Sequence, residues 1–334
     1  MEKKIRVGLV GCGVIAKNHL VGLLFVEGAE VVALCDIKKE KAQGLAESFG
    51  LGAKIYSDYL EMLDAAELDA VHICTPHYLH AQMAIEALRR DIYPLLEKPM
   101  CINHAEMEMM LAEEKKSRAK CAVCFQNRFS PSVIKALEIA RNDGGAITGY
   151  ATVMWDRGEK YYTESGWRGS MRTEGGGVMI NQVIHALDLL FMFLGKPSSV
   201  IAKTENYHLR GIIDVEDSCD GIITHEDGRT SNFYATTAAR GMCSTVVYIV
   251  TKNHTVEVRN YKLFVDGEPV DTSETQCYVG KACYGNGHTP LIAAFYDAVK
   301  NRREMPVTLE SAKEAVNILL AAYASRGEKT EIAR

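Results

Sequence analysis

Two segments of this 334-residue chain carry side chains that could transfer a proton at neutral pH. The first is the tripeptide Glu97-Lys98-Pro99, which closes an apolar stretch. Partial burial would disfavour the charged form of Lys98 and make its amine a better proton acceptor. Pro99 restricts the backbone beside it, and an X–Pro bond can adopt the cis form. An exposed lysine in a salt bridge is the alternative interpretation, and the tripeptide alone leaves both open.

The second segment is an apolar helix pattern near residues 178–194, preceded by three glycines. It carries Asn181, His185 and Asp188 at positions i, i+4 and i+7. At about 100° per residue these side chains fall on one stripe, which must meet water, a partner or a ligand. Histidine is the usual proton carrier near neutral pH. A buried histidine that is hydrogen-bonded to Asp188 is the alternative interpretation.

Residues 11–16 match the pattern G-x-G-x-x-[GA] between an apolar strand pattern and a helix pattern. Gly11 permits a tight turn, Gly13 lets a pyrophosphate approach the backbone, and Ala16 allows the helix to pack closely on the sheet. Free amides at a helix N-terminus favour an anion. The expected pyrophosphate site of a nicotinamide dinucleotide therefore consists of Gly11, Gly13, Val14, Ile15 and Ala16.

Asp36 ends the next strand pattern, 20 residues beyond Ala16. A carboxylate at this position accepts hydrogen bonds from the adenosine ribose and repels a 2′-phosphate, so NAD is favoured over NADP. Lys38 lies close enough in sequence to offset part of that repulsion. A strand-terminal aspartate that caps the following helix is the alternative interpretation.

Thr75 and Pro76 end another strand pattern of the same region. Carboxyl ends of parallel strands line the ligand crevice of an open sheet, so both residues are predicted to contact the cofactor. His80 follows them and is a further candidate for the cofactor site, although it could equally be a helix-start residue.

These residues require a doubly wound sheet to position them. Apolar strand patterns alternate with helix patterns up to about residue 125, which predicts a parallel sheet covered on both faces. The strands are expected at 5–11, 30–36, 70–75, 93–97 and 120–126, and the helices at 15–25, 38–49, 79–90 and 105–118. The first domain, residues 1–125, is therefore predicted to be a Rossmann dinucleotide-binding domain.

Consecutive, alternating strand patterns dominate the rest of the chain. They are expected at 148–156, 200–206, 219–226, 230–238, 244–252 and 255–259. This order predicts a second α+β domain, residues 126–334, with a large open and mostly antiparallel sheet. An open sheet leaves one face exposed, so we expect a homodimer or homotetramer that covers it.

Composition excludes several classes of function. The net charge is −5 and the basic residues are scattered, so no nucleic-acid partner is expected. No apolar run is long enough for a membrane span or a signal peptide, and the cytoplasm is the expected location. The pair Cys121 and Cys124 is a weak zinc signal, and no structural metal is predicted.

The motifs stand in an order that resembles the glucose–fructose oxidoreductase/inositol dehydrogenase (Gfo/Idh/MocA) family. The resemblance spans nearly the whole chain and includes Gly287-His288 and the helix near 310–325. It implies that Lys98 and His185 share proton transfer, and that Glu97 and Lys98 also lie near the nicotinamide ribose. Family members commonly carry Asp four residues before the histidine, whereas this chain has Asn181. An amide can bind a substrate hydroxyl but exchanges no proton.

The resemblance implies an NAD(P)-dependent dehydrogenase or reductase that acts on a secondary alcohol of a sugar, cyclitol or sugar derivative. Asn127 and Arg128 follow the last Rossmann strand, and aromatic and charged residues gather in 155–168, as suits a sugar ring. The expected substrate contacts are Asn181, Asn127, Arg128, Tyr162, Trp167 and Arg168. The alternatives are an NAD-dependent glycosidase that oxidises its sugar transiently, and a regulator that senses the cofactor without catalysis.

Overall fold

The computed structural model describes residues 4–273 and 285–333, which form two compact units. The first unit contains the described residues up to 126 and 285–312, and the second contains 127–273 and 313–333. Each unit has its own sheet.

A six-stranded parallel sheet forms the centre of the first unit, in the order β3-β2-β1-β4-β5-β6. Chain order reverses between β1 and β4, which is where ligands bind in open sheets of this type. β1 and β4 are mostly apolar and largely buried, as is typical of parallel strands whose two faces are covered by helices. The strands are β1 (Ile5–Val10), β2 (Ala29–Cys35), β3 (Lys54–Tyr56), β4 (Ala70–Ile73), β5 (Tyr93–Leu96) and β6 (Ala122–Val123).

The helices of this unit begin and end at recognisable capping residues. Asp58 and Asn103 each accept a hydrogen bond from the backbone of the first turn that follows, and Gly50 ends its helix in the left-handed conformation. The helices are α1 (Ala16–Leu23), α2 (Lys39–Phe49), α3 (Tyr59–Ala65), α4 (His80–Leu88), α5 (His104–Lys116) and α9 (His288–Asn301).

Helix α9 returns to the first unit from the far end of the chain. It packs on α1, where a Cβ atom at Gly22 would lie 2.4 Å from Cδ1 of Ile292. The sequence-based division into consecutive domains, 1–125 and 126–334, placed this helix in the second domain. The difference arises because its apolar face is buried against a helix more than 250 residues earlier, a pairing that local patterns do not reveal.

A nine-stranded, mostly antiparallel sheet forms the second unit, in the order β14-β13-β12-β11-β7-β10-β9-β8-β15. Only β7 and β10 pair in parallel among its described strands. The strands are β7 (Thr148–Asp156), β8 (Pro197–Glu205), β9 (Ser218–His225), β10 (Thr230–Thr236), β11 (Ala238–Val250), β12 (Thr255–Arg259), β13 (Lys262–Val265), β14 (Glu268–Val270) and β15 (Thr330–Glu331). The predicted fold class is confirmed.

The described residues form four further α-helices: α6 (Pro131–Asn142), α7 (Glu159–Thr163), α8 (Ile184–Leu194) and α10 (Leu309–Ser325). A π-helical turn, Met179–Val183, leads into α8, which packs against β7 and β11. No helix in the described ranges combines the length and apolar character that crossing a bilayer requires.

Large apolar side chains remain exposed on the second unit's sheet. Tyr150, Ile201, Ile222 and Tyr234 are 40–47% exposed, and Ile201 pairs directly with Ile222 across two strands. Assembly into a homodimer or homotetramer stays a prediction. Light scattering that shows only monomers at micromolar concentration would contradict it.

Candidate functional site

The glycine turn between β1 and α1 leaves space for a phosphate group. Gly11 has φ +86°, and a Cβ atom there would lie 2.6 Å from the carbonyl oxygen of Cys74. A Cβ atom at Gly13 would meet nothing within 4 Å among the described residues, so there is open space beside the backbone of this turn. α1 begins at Ala16 directly after this turn. These residues therefore fit a dinucleotide pyrophosphate at a helix N-terminus.

Asp36 lies at the end of β2 beside this turn. Its Oδ2 accepts a hydrogen bond of 2.9 Å from the Cys12 amide, and its Oδ1 accepts one of 2.9 Å from the Lys38 amide. A carboxylate has about four acceptor positions, so two remain for ribose hydroxyls. Ile37, which follows it, is an apolar side chain with 87% exposure. Such a surface suits an adenine ring, and an apolar residue directly after the strand-terminal aspartate was the signal that sequence reasoning missed.

Replacing Asp36 with serine is expected to weaken NADH binding by roughly 10- to 100-fold, the equivalent of losing a hydrogen bond to a charged group. NADPH binding should weaken less or improve, because the repulsion of the 2′-phosphate is removed. Fluorescence titration with both cofactors measures the ratio of their dissociation constants. Asp36→Asn is the matched control, because it keeps the shape of the side chain and removes its charge. An unchanged preference in Asp36→Ser would contradict the assignment.

His80 connects the two loops that end β4 and β5. Its Nδ1 lies 2.7 Å from the carbonyl oxygen of Pro99, and its Nε2 lies 2.9 Å from that of Thr75. The ring is fully buried and burial lowers its pKa. Sequence analysis gave His80 as a candidate for the cofactor site, and this stays a prediction. Both ring nitrogens face backbone carbonyl oxygens, and the single N–H of the neutral imidazole donates to one of them. Its contribution is therefore to hold Thr75-Pro76 and the cis Lys98–Pro99 bond in place.

A buried hydrogen-bonded chain ends at Glu97, beside Lys98. His19 Nε2 lies 3.1 Å from Glu97 Oε1, and His19 Nδ1 lies 2.8 Å from His72 Nδ1. His72 Nε2 in turn lies 2.8 Å from the hydroxyl oxygen of Tyr296. One set of neutral tautomers satisfies every bond: Tyr296 donates to His72, His72 donates to His19, and His19 donates to the Glu97 carboxylate.

The charges of this chain follow from its burial. Burial lowers the pKa of His19 and lowers that of His72 still further, so both imidazoles stay neutral. Burial raises the pKa of Glu97, but the hydrogen bond from His19 and the nearby His288 outweigh it and hold the pKa well below its usual value. Glu97 is therefore an ionised anchor at the end of β5, which fixes the backbone that carries Lys98.

Removing the hydroxyl group of Tyr296 is expected to destabilise the protein by about 1–3 kcal/mol, because His72 then loses its donor inside the core. Denaturant unfolding of Tyr296→Phe measures this change in the free energy of unfolding. Tyr78→Phe is the control, since Tyr78 is 41% exposed in the same unit. Equal stability of Tyr296→Phe and the parent would show that the chain of hydrogen bonds does not hold the core.

Two of these groups and a buried cysteine also have the spacing of metal ligands. His19, Glu97 and Cys124 each offer one atom within 4.8 Å of the others. Burial raises the pKa of Cys124 well above its usual value, so the thiol keeps its proton, whereas metals bind the thiolate. Both nitrogens of His19 already have hydrogen-bond partners. The expectation of no structural metal stays a prediction, which elemental analysis would check.

The polar stripe of the second unit lies on the π-helical turn and α8, as predicted. Asp188 is 1% exposed and forms a two-pronged ion pair with Arg128, at 2.8 Å to Nε and 2.5 Å to Nη2. Sequence analysis assigned Arg128 to the substrate and considered Asp188 as a partner of His185. The structure pairs Arg128 with Asp188, because a buried carboxylate needs a nearby cation. A substrate contact of Arg128 stays a prediction. His185 is half-buried one turn earlier.

Two of the three glycines before this stripe allow a close approach by other parts of the chain. A Cβ atom at Gly177 would lie 1.9 Å from the Glu216 carbonyl oxygen, and one at Gly176 would lie 1.8 Å from the Tyr323 hydroxyl. The Glu216 carboxylate accepts bonds from the amides of Gly177 and Met179 and from Tyr323. Through these hydrogen bonds the buried Glu216 carboxyl group holds the start of the helix that carries Asn181 and His185.

Asn181 is oriented by a carboxylate that sequence reasoning missed. Its Nδ2 donates to Glu174 Oε1 at 2.5 Å and to the hydroxyl oxygen of Tyr161 at 3.3 Å. Burial raises the pKa of Glu174 to about 7. This chain therefore has a carboxyl group beside position 181, but it belongs to Glu174 and not to residue 181 itself. Its only sequence signal was an acidic residue directly before the three glycines.

The remaining predicted contacts divide between the site and the core. Tyr162 packs in a small cluster with Leu209, Ile213 and Val215, so its assignment to the substrate does not match its 3% exposure. Adjacent helix residues point in different directions, and Tyr161 is the one that bonds to Asn181. Trp167 and Arg168 lie together beside Tyr161, and Asn127 is buried and accepts a hydrogen bond from Tyr261.

The sequence matches known families in both units. Residues 5–125 match the oxidoreductase family with an NAD-binding Rossmann fold, and residues 139–257 match the Gfo/Idh/MocA C-terminal domain. D-apiose dehydrogenase of Paraburkholderia graminis is 29% identical over 69% of this chain and 60% of its own length. Inositol 2-dehydrogenase of Salmonella paratyphi B is 31% identical over 43% of each chain. The chain thus spans less than two thirds of the length of these relatives.

Solved structures also align over the whole chain. The WlbA dehydrogenase of Bordetella pertussis, in complex with NADH and UDP-GlcNAcA, has a TM-score of 0.88 and 25% identity over 100% of this chain and 99% of its own. Levoglucosan dehydrogenase with NADH has the same TM-score at 20% identity, which shows the fold. The two family matches together cover most of the chain, and it belongs to the Gfo/Idh/MocA family of oxidoreductases, with an NAD-binding Rossmann domain at its N-terminus.

Proposed function

We propose that this protein is an NAD-dependent dehydrogenase that transfers a hydride to or from a secondary alcohol carbon of a sugar, cyclitol or sugar derivative. The observation that carries the proposal is the open turn at Gly13, which leads into α1 beside the Asp36 carboxylate. Family members named for apiose, inositol and glucoside substrates support the substrate class.

The turn at Gly11 and Gly13 would hold the pyrophosphate, and Asp36 would accept hydrogen bonds from the adenosine ribose. Bound NAD supplies the hydride acceptor. Glu97 is anchored by His19 and presents Lys98 at the end of β5, the edge of the sheet where ligands bind. In this proposal Thr75 and Pro76 line the same edge.

Lys98 and His185 carry the proton in this proposal. As the hydride leaves the carbon, the hydroxyl proton must pass to a base, and an amine or an imidazole performs this at neutral pH. Asn181 binds a substrate hydroxyl, because its amide is oriented by Glu174 and Tyr161. Arg128 acts indirectly by neutralising Asp188 on the same helix.

An absorbance screen for NADH formation over sugars, cyclitols and nucleotide sugars tests the proposal. We expect at least one of these to reduce NAD, with NADP less effective. Release of nitrophenol from nitrophenyl glycosides with no net NADH would instead identify a glycosidase that uses transient oxidation. Cofactor binding without turnover of any compound would favour a regulator, and either result would overturn the proposal.

A further inference from the structure

We propose that Arg157 and Arg168 recognise an oxyanion on the substrate, so that the preferred sugars carry a carboxylate or phosphate. This inference rests on the proposed function for the sugar itself. The two arginines lie on either side of α7, in the segment that joins β7 to the helix of His185.

Both guanidinium groups lie over one aromatic ring. The Arg157 guanidinium is 5.0 Å from the centre of the Tyr161 ring, and that of Arg168 is 4.5 Å from it. A tryptophan accompanies each arginine: Trp155 lies 4.7 Å from Arg157, and Trp167 lies 4.6 Å from Arg168. Aromatic faces hold a guanidinium plane and leave its edge, which carries the N–H donors, directed elsewhere.

The donors of these arginines are incompletely used. Arg157 is only 7% exposed, and its Nη1 donates to the Asp156 carbonyl oxygen at 3.0 Å. The Nε atoms of Arg157 and Arg168 are buried and have no hydrogen-bond partner within the described part of the chain. Buried guanidinium donors normally have partners, and a carboxylate or phosphate matches their fork with two parallel bonds. The unused donors therefore indicate a ligand oxyanion.

The local charge balance favours the same conclusion. Glu174 is the buried carboxyl group that interacts with Arg168, and it already accepts bonds from the Gly169 amide and Asn181. Burial raises its pKa to about 7, so at neutral pH it offsets at most one of the two guanidinium charges. A ligand with a negative charge would balance the remainder. Because Tyr161 bonds to Asn181, this charge would be recognised next to the helix that carries His185.

Intrinsic fluorescence gives a direct measure of binding here, because Trp155 and Trp167 are the two tryptophans of the chain. Matched ligands are glucuronate with glucose, for a carboxylate, and glucose 6-phosphate with glucose, for a phosphate. We expect at least one charged ligand to bind roughly 10- to 100-fold more tightly than its neutral counterpart, as bonds to a charged group imply. The pair that shows the difference identifies the source of the oxyanion.

Two variants assign the effect to the arginines. Arg168→Met and Arg157→Lys should reduce the preference for the charged ligand about tenfold or more, since each loses bidentate donors. Arg172→Met is the control, because Arg172 is exposed in the same segment. NADH titration and thermal melting verify that each variant is folded. Equal binding of charged and neutral ligands by the parent, or an unchanged preference in both variants, would overturn the inference.

This experiment needs no turnover, so its failure differs from that of the proposed function. Selective binding of a charged sugar without NADH formation would support the arginine site and overturn the dehydrogenase. NADH formation from neutral sugars alone, with no preference for charged ones, would do the reverse.

Discussion

Replacing Lys98 with methionine is expected to lower kcat by about 10²- to 10⁴-fold, the range that loss of a general acid or base produces. Methionine keeps the length and apolar stem of the side chain but removes the amine that takes the hydroxyl proton. The backbone around position 98 should persist, because it is held by the Glu97 anchor and by His80. Cofactor binding should therefore change much less than turnover. Stopped-flow measurement of NADH formation compares the variants.

Lys98→Arg separates proton transfer from charge. Arginine retains a positive charge but does not release its proton in proteins, so this variant should be nearly as slow as Lys98→Met. Lys115→Met is the control, because Lys115 is an exposed lysine of the same unit. Near-normal turnover in Lys98→Arg would mean that position 98 supplies charge rather than a proton acceptor.

His185→Asn is the second substitution with a large expected effect. Asparagine preserves a polar side chain on the stripe but cannot exchange a proton, and kcat should again fall by about 10²- to 10⁴-fold. His104→Asn, at an exposed position, is the matched control and should behave as the parent.

The double variant tests whether Lys98 and His185 serve one proton transfer. Residues that act as a unit are strongly non-additive in kinetics. Lys98→Met/His185→Asn should therefore be no more than a few-fold slower than the slower single variant. If the reduction in kcat of the double variant equals the product of the two single reductions, the residues act in independent steps. The shared role would then have to be abandoned.

The central parts of the fold follow from local patterns in the sequence. β7 and β12 begin and end at the predicted residues, since alternation of period two is distinctive over a half-buried strand. α1 starts at the predicted glycine turn. By contrast, β3 (Lys54–Tyr56) and the seven-residue α3 were missed, because such short elements show too little periodicity to recognise.

The site was predictable where one segment provides the chemistry, and not where distant segments meet. The spacing of Asn181, His185 and Asp188 placed them on one stripe, but the partner of Asp188 lies 60 residues away at Arg128. Tyr161 and Tyr162 are adjacent tyrosines, and the sequence does not distinguish their roles. Only the packing shows that Tyr162 lies in the core. Long-range contacts of this kind leave no local pattern.

The buried histidines show the same limit. His19 and His72 stand in apolar stretches, where a polar residue signals that a partner exists but not which one. Their partners are Glu97, which directly follows β5, and Tyr296, which lies on α9. Lys98 could thus be recognised from its tripeptide. The hydrogen-bonded side chains that anchor its backbone could be identified only from the structure.

Isotope transfer from a deuterated substrate is the most direct test of the central claim, that this protein moves a hydride between a sugar carbon and NAD. The sugar that reduces NAD in the screen is labelled with deuterium on its secondary alcohol carbons, and the nicotinamide product is examined by mass spectrometry. Direct hydride transfer gives reduced nicotinamide that is one deuterium heavier, in equal amount to the keto sugar. Unlabelled NADH, or deuterium that returns entirely to the sugar, would contradict it.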